Sequence, residues 1–166
     1  MKLVLAALGA VVAALLELTV APHLAVDGAQ PHLVLVLGVI CTMAAGLEAG
    51  LVWAFAGGLL LDVLAPRPLG SSAFALLLSL GAAHVGARAL TRLRVFVPIP
   101  LVFVLTIVNS LVLLVVLGAL GAPIPVSDPL RALLPGAVYD TAIAAVLGPL
   151  ILSLRDRYAP EERVDW

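Results

Sequence analysis

Apolar side chains run through this chain in six long stretches, and no other feature restricts its fold as much. They cover residues 3–21, 32–47, 49–64, 71–91, 96–120 and 133–154. A helix needs about 20 mostly apolar residues to cross roughly 30 Å of hydrocarbon, with about 17 as the lower figure. The first, fourth, fifth and sixth stretches reach that length directly, whereas the second and third are short and separated only by Leu47-Glu48. One continuous helix over 32–64 would hold Glu48 at mid-membrane without an evident partner, which is costly. Two spans joined by a tight turn near Gly46–Gly50 are therefore expected. No segment alternates polar and apolar residues over about ten positions, as a membrane β-strand does. The expectation is an all-α polytopic membrane protein. It is a compact bundle of six short transmembrane helices in a single domain over 1–155, followed by a short cytoplasmic tail over 156–166.

Composition removes most functional classes. The chain is 63% apolar and only 11% charged, with mean hydropathy +1.22, where about 25% charged is usual for a soluble domain. That excludes a disordered chain, a nucleic-acid binder and an ordinary cytosolic enzyme. A net charge of −1 gives no global field to select charged partners. Cys41 stands alone, so neither an intramolecular disulfide nor a cysteine metal cluster is available. His23 and His32, with only Asp27 between them, make a poor zinc set. Gly70-Ser71-Ser72 follows a proline turn rather than a strand, unlike a nucleophile elbow. Gly57-Gly58 lacks the order of a phosphate loop. No catalytic residue, cofactor or metal is expected. Residues 1–21 resemble a signal peptide superficially, but the apolar run is long, contains Glu17 and is followed by Pro22, so a retained span is expected.

Turn chemistry marks the connections. Pro22 to Pro31 contains Asp27-Gly28; Ala65 to Gly70 contains Pro66, Arg67 and Pro68; Gly121 to Pro129 contains Asp128. Ser71 or Ser72 can cap the fourth span. Pro98 and Pro100 suit the first turn of the fifth. Pro135 either starts the sixth in the same way or sits inside a helix that begins near Asp128.

Helices in lipid associate through small residues that allow close approach. Gly46, Gly50, Ala54, Gly58 and Asp62 recur every four residues, as do Ser71, Ala75, Ser79, Ala83 and Ala87, and Gly136, Asp140, Ala144 and Gly148. Each four-residue step drifts about 40° around a helix, so adjacent members share a face but a whole row does not. Trp53, in mid-span, is expected to pack inside, and Tyr158 and Trp166 suit the interface.

Seven basic residues (Lys2, Arg88, Arg92, Arg94, Arg155, Arg157 and Arg163) fall on one side of this arrangement, and Arg67 and Arg131 on the other. The positive-inside rule then places both termini in the cytoplasm. Glu17, Asp62 and Asp140 all fall in the outer half, with Arg67, Asp128 and Arg131. One reading is a polar cluster that organises the outer end as a partner site. The other is that each carboxylate reaches headgroups or is neutral. Asp62 ends the glycine row beside the proline turn, where it can accept hydrogen bonds from the turn's backbone or from Arg67. If one acceptor suffices there, Asp62→Asn keeps much of its role. Tyr139 and Thr141 are the neighbours expected for Asp140. His84 and Arg88 form an interfacial pair at i,i+4. Asn109 and Ser110 are candidates for interhelical hydrogen bonds, and Thr106 for a bond within its own helix.

The stretch from Gly50 to Ala73, with Gly57-Gly58-Leu59-Leu60-Leu61-Asp62 and then Pro68-Leu69-Gly70, resembles the signature of the bacterial rod shape-determining protein MreD family. Glu17 with Pro22, Gln30-Pro31-His32 and Leu134-Pro135-Gly136-Ala137-Val138-Tyr139-Asp140 extend the likeness across nearly the whole chain. Two positions depart from it: His32 stands where the family commonly has aspartate, and Asp140 where it commonly has asparagine. The resemblance implies a non-catalytic component of the cell-elongation machinery in the bacterial inner membrane. It would bind the scaffold protein MreC and act beside the MreB filament, with RodA and a class B penicillin-binding transpeptidase in the same assembly. It also implies a fold similar to the substrate-binding components of energy-coupling-factor transporters, which makes a small-molecule binding or permease subunit the alternative. The residues marked for structural or partner roles are Glu17, Gly50, Gly58, Asp62, Arg67, Pro68, Gly70, Tyr139 and Asp140.

The basic bias yields the first test. Reporter fusions after residues 27, 67 and 125 should read outside, and fusions after 92 and 166 inside. An outside reading at the C-terminus contradicts the six-span arrangement.

Overall fold

The computed structural model describes residues 1–25, 30–65, 67–89, 97–122 and 129–158. Asp27, Gly28, Pro66, Arg92, Arg94, Asp128, Arg163 and Trp166 lie outside the described residues, as do the side chains of Arg131, Arg155, Arg157 and Tyr158. Six helices account for nearly all of what is described: α1 (Lys2–Thr19), α2 (Leu33–Ala45), α3 (Leu47–Leu64), α4 (Ser71–Ala89), α5 (Pro98–Ala119) and α6 (Pro129–Tyr158). A short 3-10 turn over Ala21–Leu24 follows α1. No strand is present among the described residues.

Four of these helices, α1, α3, α5 and the Leu133–Leu154 portion of α6, are long and apolar enough to cross a membrane. At 13 residues, α2 is only about 20 Å long at 1.5 Å per residue. It makes up for this shortness by burial: Val34, Val36 and Val39 are fully covered by other helices. The chain is an all-α, multi-pass membrane protein.

The turn expected near Gly46 is a single residue. Gly46 separates α2 from α3 with φ +95°, a left-handed conformation that glycine adopts without a Cβ penalty. Glu48 therefore lies in the first turn of α3, exposed, and not at the centre of a long helix. Helix α6 starts earlier than the expected 133 and carries Pro135 and Pro149 inside it. Of the two readings of Pro135, the structure takes the helix that begins near Asp128.

Helix α3 is the hub, packed against α1, α2 and α4, while α5 pairs with α6 and α4, and α6 closes back on α2. The small-residue row on α3 serves two neighbours in turn. A Cβ at Gly50 would collide with Thr42 of α2, and one at Gly58 would collide with the backbone of Ala73 in α4. The drift around the helix expected for a four-residue step is what sends successive members to different partners. On α4, Ala75, Ser79 and Ala83 are fully buried. On α6, Gly148 brings the helix against Pro98 at the start of α5. Trp53 is 8% exposed and its indole N–H donates to the Val34 carbonyl at 2.9 Å. It therefore packs inside, as its mid-span position suggested.

Glycine is required at Gly58 because the obstacle is backbone, which cannot swing aside. Gly58→Ala should lower stability by about 1–3 kcal/mol, the usual range for overpacking. Gly81, helical with open space around it, should gain about 0.5–1 kcal/mol as Gly81→Ala. Thermal unfolding of the two purified variants in detergent checks both, and an unchanged Gly58→Ala protein would remove the seam.

Candidate functional site

A helix that starts inside a membrane bundle has up to four N–H groups without partners and no water to serve them. The first turns of α2 and α4 are buried against other helices, with Val34, Ser71 and Ser72 at most 4% exposed, so their N–H groups need protein partners. Nothing in Gln30-Pro31-His32-Leu33 supplies a Ser, Thr, Asp or Asn cap, and no side chain of α2's own start caps it. The structure solves the problem with carboxylates sent from other helices.

Glu17, near the end of α1, accepts the Val34 N–H at 2.7 Å. Asp140, on α6, accepts the His32 N–H at 2.8 Å and the His32 Nδ1–H at 2.9 Å. The start of α2 is thus held by two acids from two other helices. Asp140 is fully buried and also accepts from Thr106 Oγ1 on α5 at 3.0 Å, so one carboxylate ties α6 to α2 and α5. His32 and Asp140 are the one pair of oppositely ionisable side chains in contact among the described residues, with the imidazole 38% exposed.

Asp62 performs the same service for α4. Its Oδ2 accepts the Gly70 N–H at 2.9 Å, and its Oδ1 accepts the Ser72 N–H at 2.9 Å and the Ser71 hydroxyl at 3.0 Å. The carboxylate is 2% exposed. Gly70 can aim its N–H this way because its φ is +93°, a conformation that strains any residue with a Cβ. The Pro68 carbonyl closes the turn by accepting the Ser71 N–H at 3.2 Å, and the one hydroxyl proton of Ser71 is shared between that carbonyl, at 2.8 Å, and Asp62 Oδ1. Negative charge at a helix N-terminus also meets the positive end of the helix dipole, which adds to the hydrogen bonds.

Several expectations change here. Neither Ser71 nor Ser72 caps α4 with its own side chain; Ser71 donates to Asp62, and the cap is Asp62 itself. Arg67 reaches Ser72 Oγ at 3.3 Å and forms no ion pair with Asp62. Tyr139 and Thr141 are not the partners of Asp140; Thr141 bonds the Ala137 carbonyl within its own helix. Thr106 bonds across helices and not within α5. His84 is half-buried and Arg88 exposed, with no bond between them among the described residues. Asn109 does make the interhelical bond expected of it, accepting from Ser79 Oγ at 3.4 Å. His32 and Thr106 are the partners that sequence reasoning missed. The uncapped start of α2 was the available signal for His32; Thr106 has none, since its bond joins residues 34 positions apart.

Between these caps lies a cavity of about 130 Å³. Its polar lining includes Glu17, Gln30, His32, Arg67, Ser72 and Asn109, and leucines from α1 to α5 supply most of the rest. Gly50 and Gly58 take no part in it; they set helix separation farther along α3. The chemistry on display is hydrogen bonding and charge placement. No group of three or more metal-ligating side chains occurs among the described residues.

Because both Asp62 oxygens accept, Asp62→Asn keeps one acceptor and turns an NH2 group toward backbone donors. It should lose about 1–3 kcal/mol, the range for a buried donor left unpaired, which revises the expectation that asparagine would serve. Glu17 uses one oxygen only, so Glu17→Gln should be near neutral. Parallel melting curves decide: equal effects at the two sites would refute the geometry.

A family model described as rod shape-determining protein MreD matches residues 1–157. No curated protein and no solved structure matches the chain.

Proposed function

The chain belongs to the rod shape-determining protein MreD family, and from that premise we propose that it is a non-catalytic docking component of the elongation machinery. Family membership carries a role in rod-shape determination, and the helices fit a multi-pass membrane protein. The proposal adds the bacterial inner membrane, with both termini cytoplasmic, and an MreC-like scaffold protein as the direct partner. The MreB filament, RodA and a class B penicillin-binding transpeptidase are its neighbours in the assembly.

The observation that supports this reading best is the trio of carboxylates at one end of the bundle. Glu17, Asp62 and Asp140 fix where α2 and α4 start. An end held in one shape presents a preorganised surface, and preorganisation lowers the ordering cost of binding. The positive-inside assignment turns that end outward, toward the side where a scaffold anchored in the membrane would extend.

The test is co-purification of the scaffold from native membranes at matched levels of wild type, Asp62→Asn and Asp62→Leu. Recovery should fall in the order wild type, Asn, Leu, with Leu losing most of it. Undiminished recovery with Asp62→Leu would separate the cap from partner binding. Recovery of an ATPase module in place of a scaffold would favour the transporter subunit.

A further inference from the structure

The polar groups that line the cavity have bonding capacity left over. Asn109 is 8% exposed, yet only its oxygen is engaged; its NH2 group makes no hydrogen bond among the described residues. Glu17 uses Oε2 for Val34 and leaves Oε1 free. Arg67 has a single, long hydrogen bond, to Ser72 Oγ, for its five N–H donors. Glu17 and Arg67 line the same cavity without pairing.

No buried side-chain N or O atom among the described residues lacks a partner, so this free capacity is accessible, and the three residues that carry it line the cavity, where a ligand can serve it. A free carboxylate oxygen calls for a donor, best a cationic one. A guanidinium and an amide NH2 call for an acceptor, best an anionic one. The leucines from α1 to α5 that complete the wall favour an adjoining apolar portion. The volume of about 130 Å³ has room for several heavy atoms, since about 10–15 Å³ admits one water.

We propose that the cavity bounded by Glu17, Arg67 and Asn109 binds a small amphiphilic zwitterion, with its ammonium against Glu17 and its phosphate or carboxylate against Arg67 and Asn109. The inference stands on the cavity and does not depend on the scaffold-binding reading. Two sources share this chemistry: the headgroup of an ethanolamine phospholipid and a free apolar amino acid.

The experiment follows thermal unfolding of the purified protein in a maltoside detergent. It is titrated separately with dihexanoyl phosphatidylethanolamine, L-leucine, dihexanoyl phosphatidylcholine and dihexanoyl phosphatidylglycerol. A saturable rise in melting temperature with the ethanolamine lipid, with leucine, or with both supports the site, and which of them acts identifies the source. The choline lipid lacks N–H donors and the glycerol lipid lacks the ammonium, so both should be silent. Arg67→Gln and Glu17→Gln should each weaken the response about tenfold, the scale of one lost hydrogen bond to a charged group. Val115→Ala, on the exposed face of α5, should leave it unchanged. Equal shifts from all three lipids, or full affinity in Arg67→Gln, would overturn the proposal. No saturable response to any of them would also overturn it, and loss of scaffold recovery in Arg67→Gln would then give the cavity to the partner chain.

Discussion

Hydrocarbon cannot solvate the start of a helix, and the arrangement of this bundle follows from how that deficit is met. An N–H group left bare in the membrane core costs several kcal/mol. Here the starts of α2 and α4 are buried among other helices and receive carboxylates from α1, α6 and α3. A cap of this kind differs from a local Ser or Asp cap. It satisfies the backbone and at the same time fixes one helix against another, so secondary structure and tertiary packing are set by the same bonds.

The short helix depends on this most. At 13 residues, α2 has little length to span the bilayer, but its start is bonded to two helices and its middle is enclosed by the others. Small residues on α3 allow that enclosure, because Gly50 lets α2 approach and Gly58 lets α4 approach. The Trp53 indole N–H then donates to the carbonyl of Val34, the same residue whose N–H Glu17 accepts. Close packing and long-range capping are therefore coupled through the same few residues of α2.

Much of this was legible in the sequence because membrane hydropathy is a strong signal. Helix number and the Gly46 turn follow from apolar run lengths, and the common end of the bundle shared by Glu17, Asp62 and Asp140 follows from the alternating direction of successive helices. Asp62 could be placed on its turn because residues 62 and 70–72 are near neighbours in the chain. The partners of Asp140 could not, since they come from α2 and α5 and no local pattern records them. Apolar run length put the start of the sixth span at 133, whereas α6 begins at Pro129 and carries Pro135 inside, the second of the two readings that Pro135 allowed. A further relation emerges only in three dimensions. His32 and Asp140, 108 positions apart, are in direct contact at 2.9 Å.

The central claim is that acids from other helices carry the helix starts, and residue-resolved amide hydrogen exchange tests it most directly. In the wild-type protein the amides of His32, Val34, Gly70 and Ser72 should be protected. In Asp62→Ala, protection should fall at Gly70 and Ser72 and persist at His32 and Val34. Unchanged exchange at Gly70 and Ser72, or an equal loss at all four positions, would contradict the account.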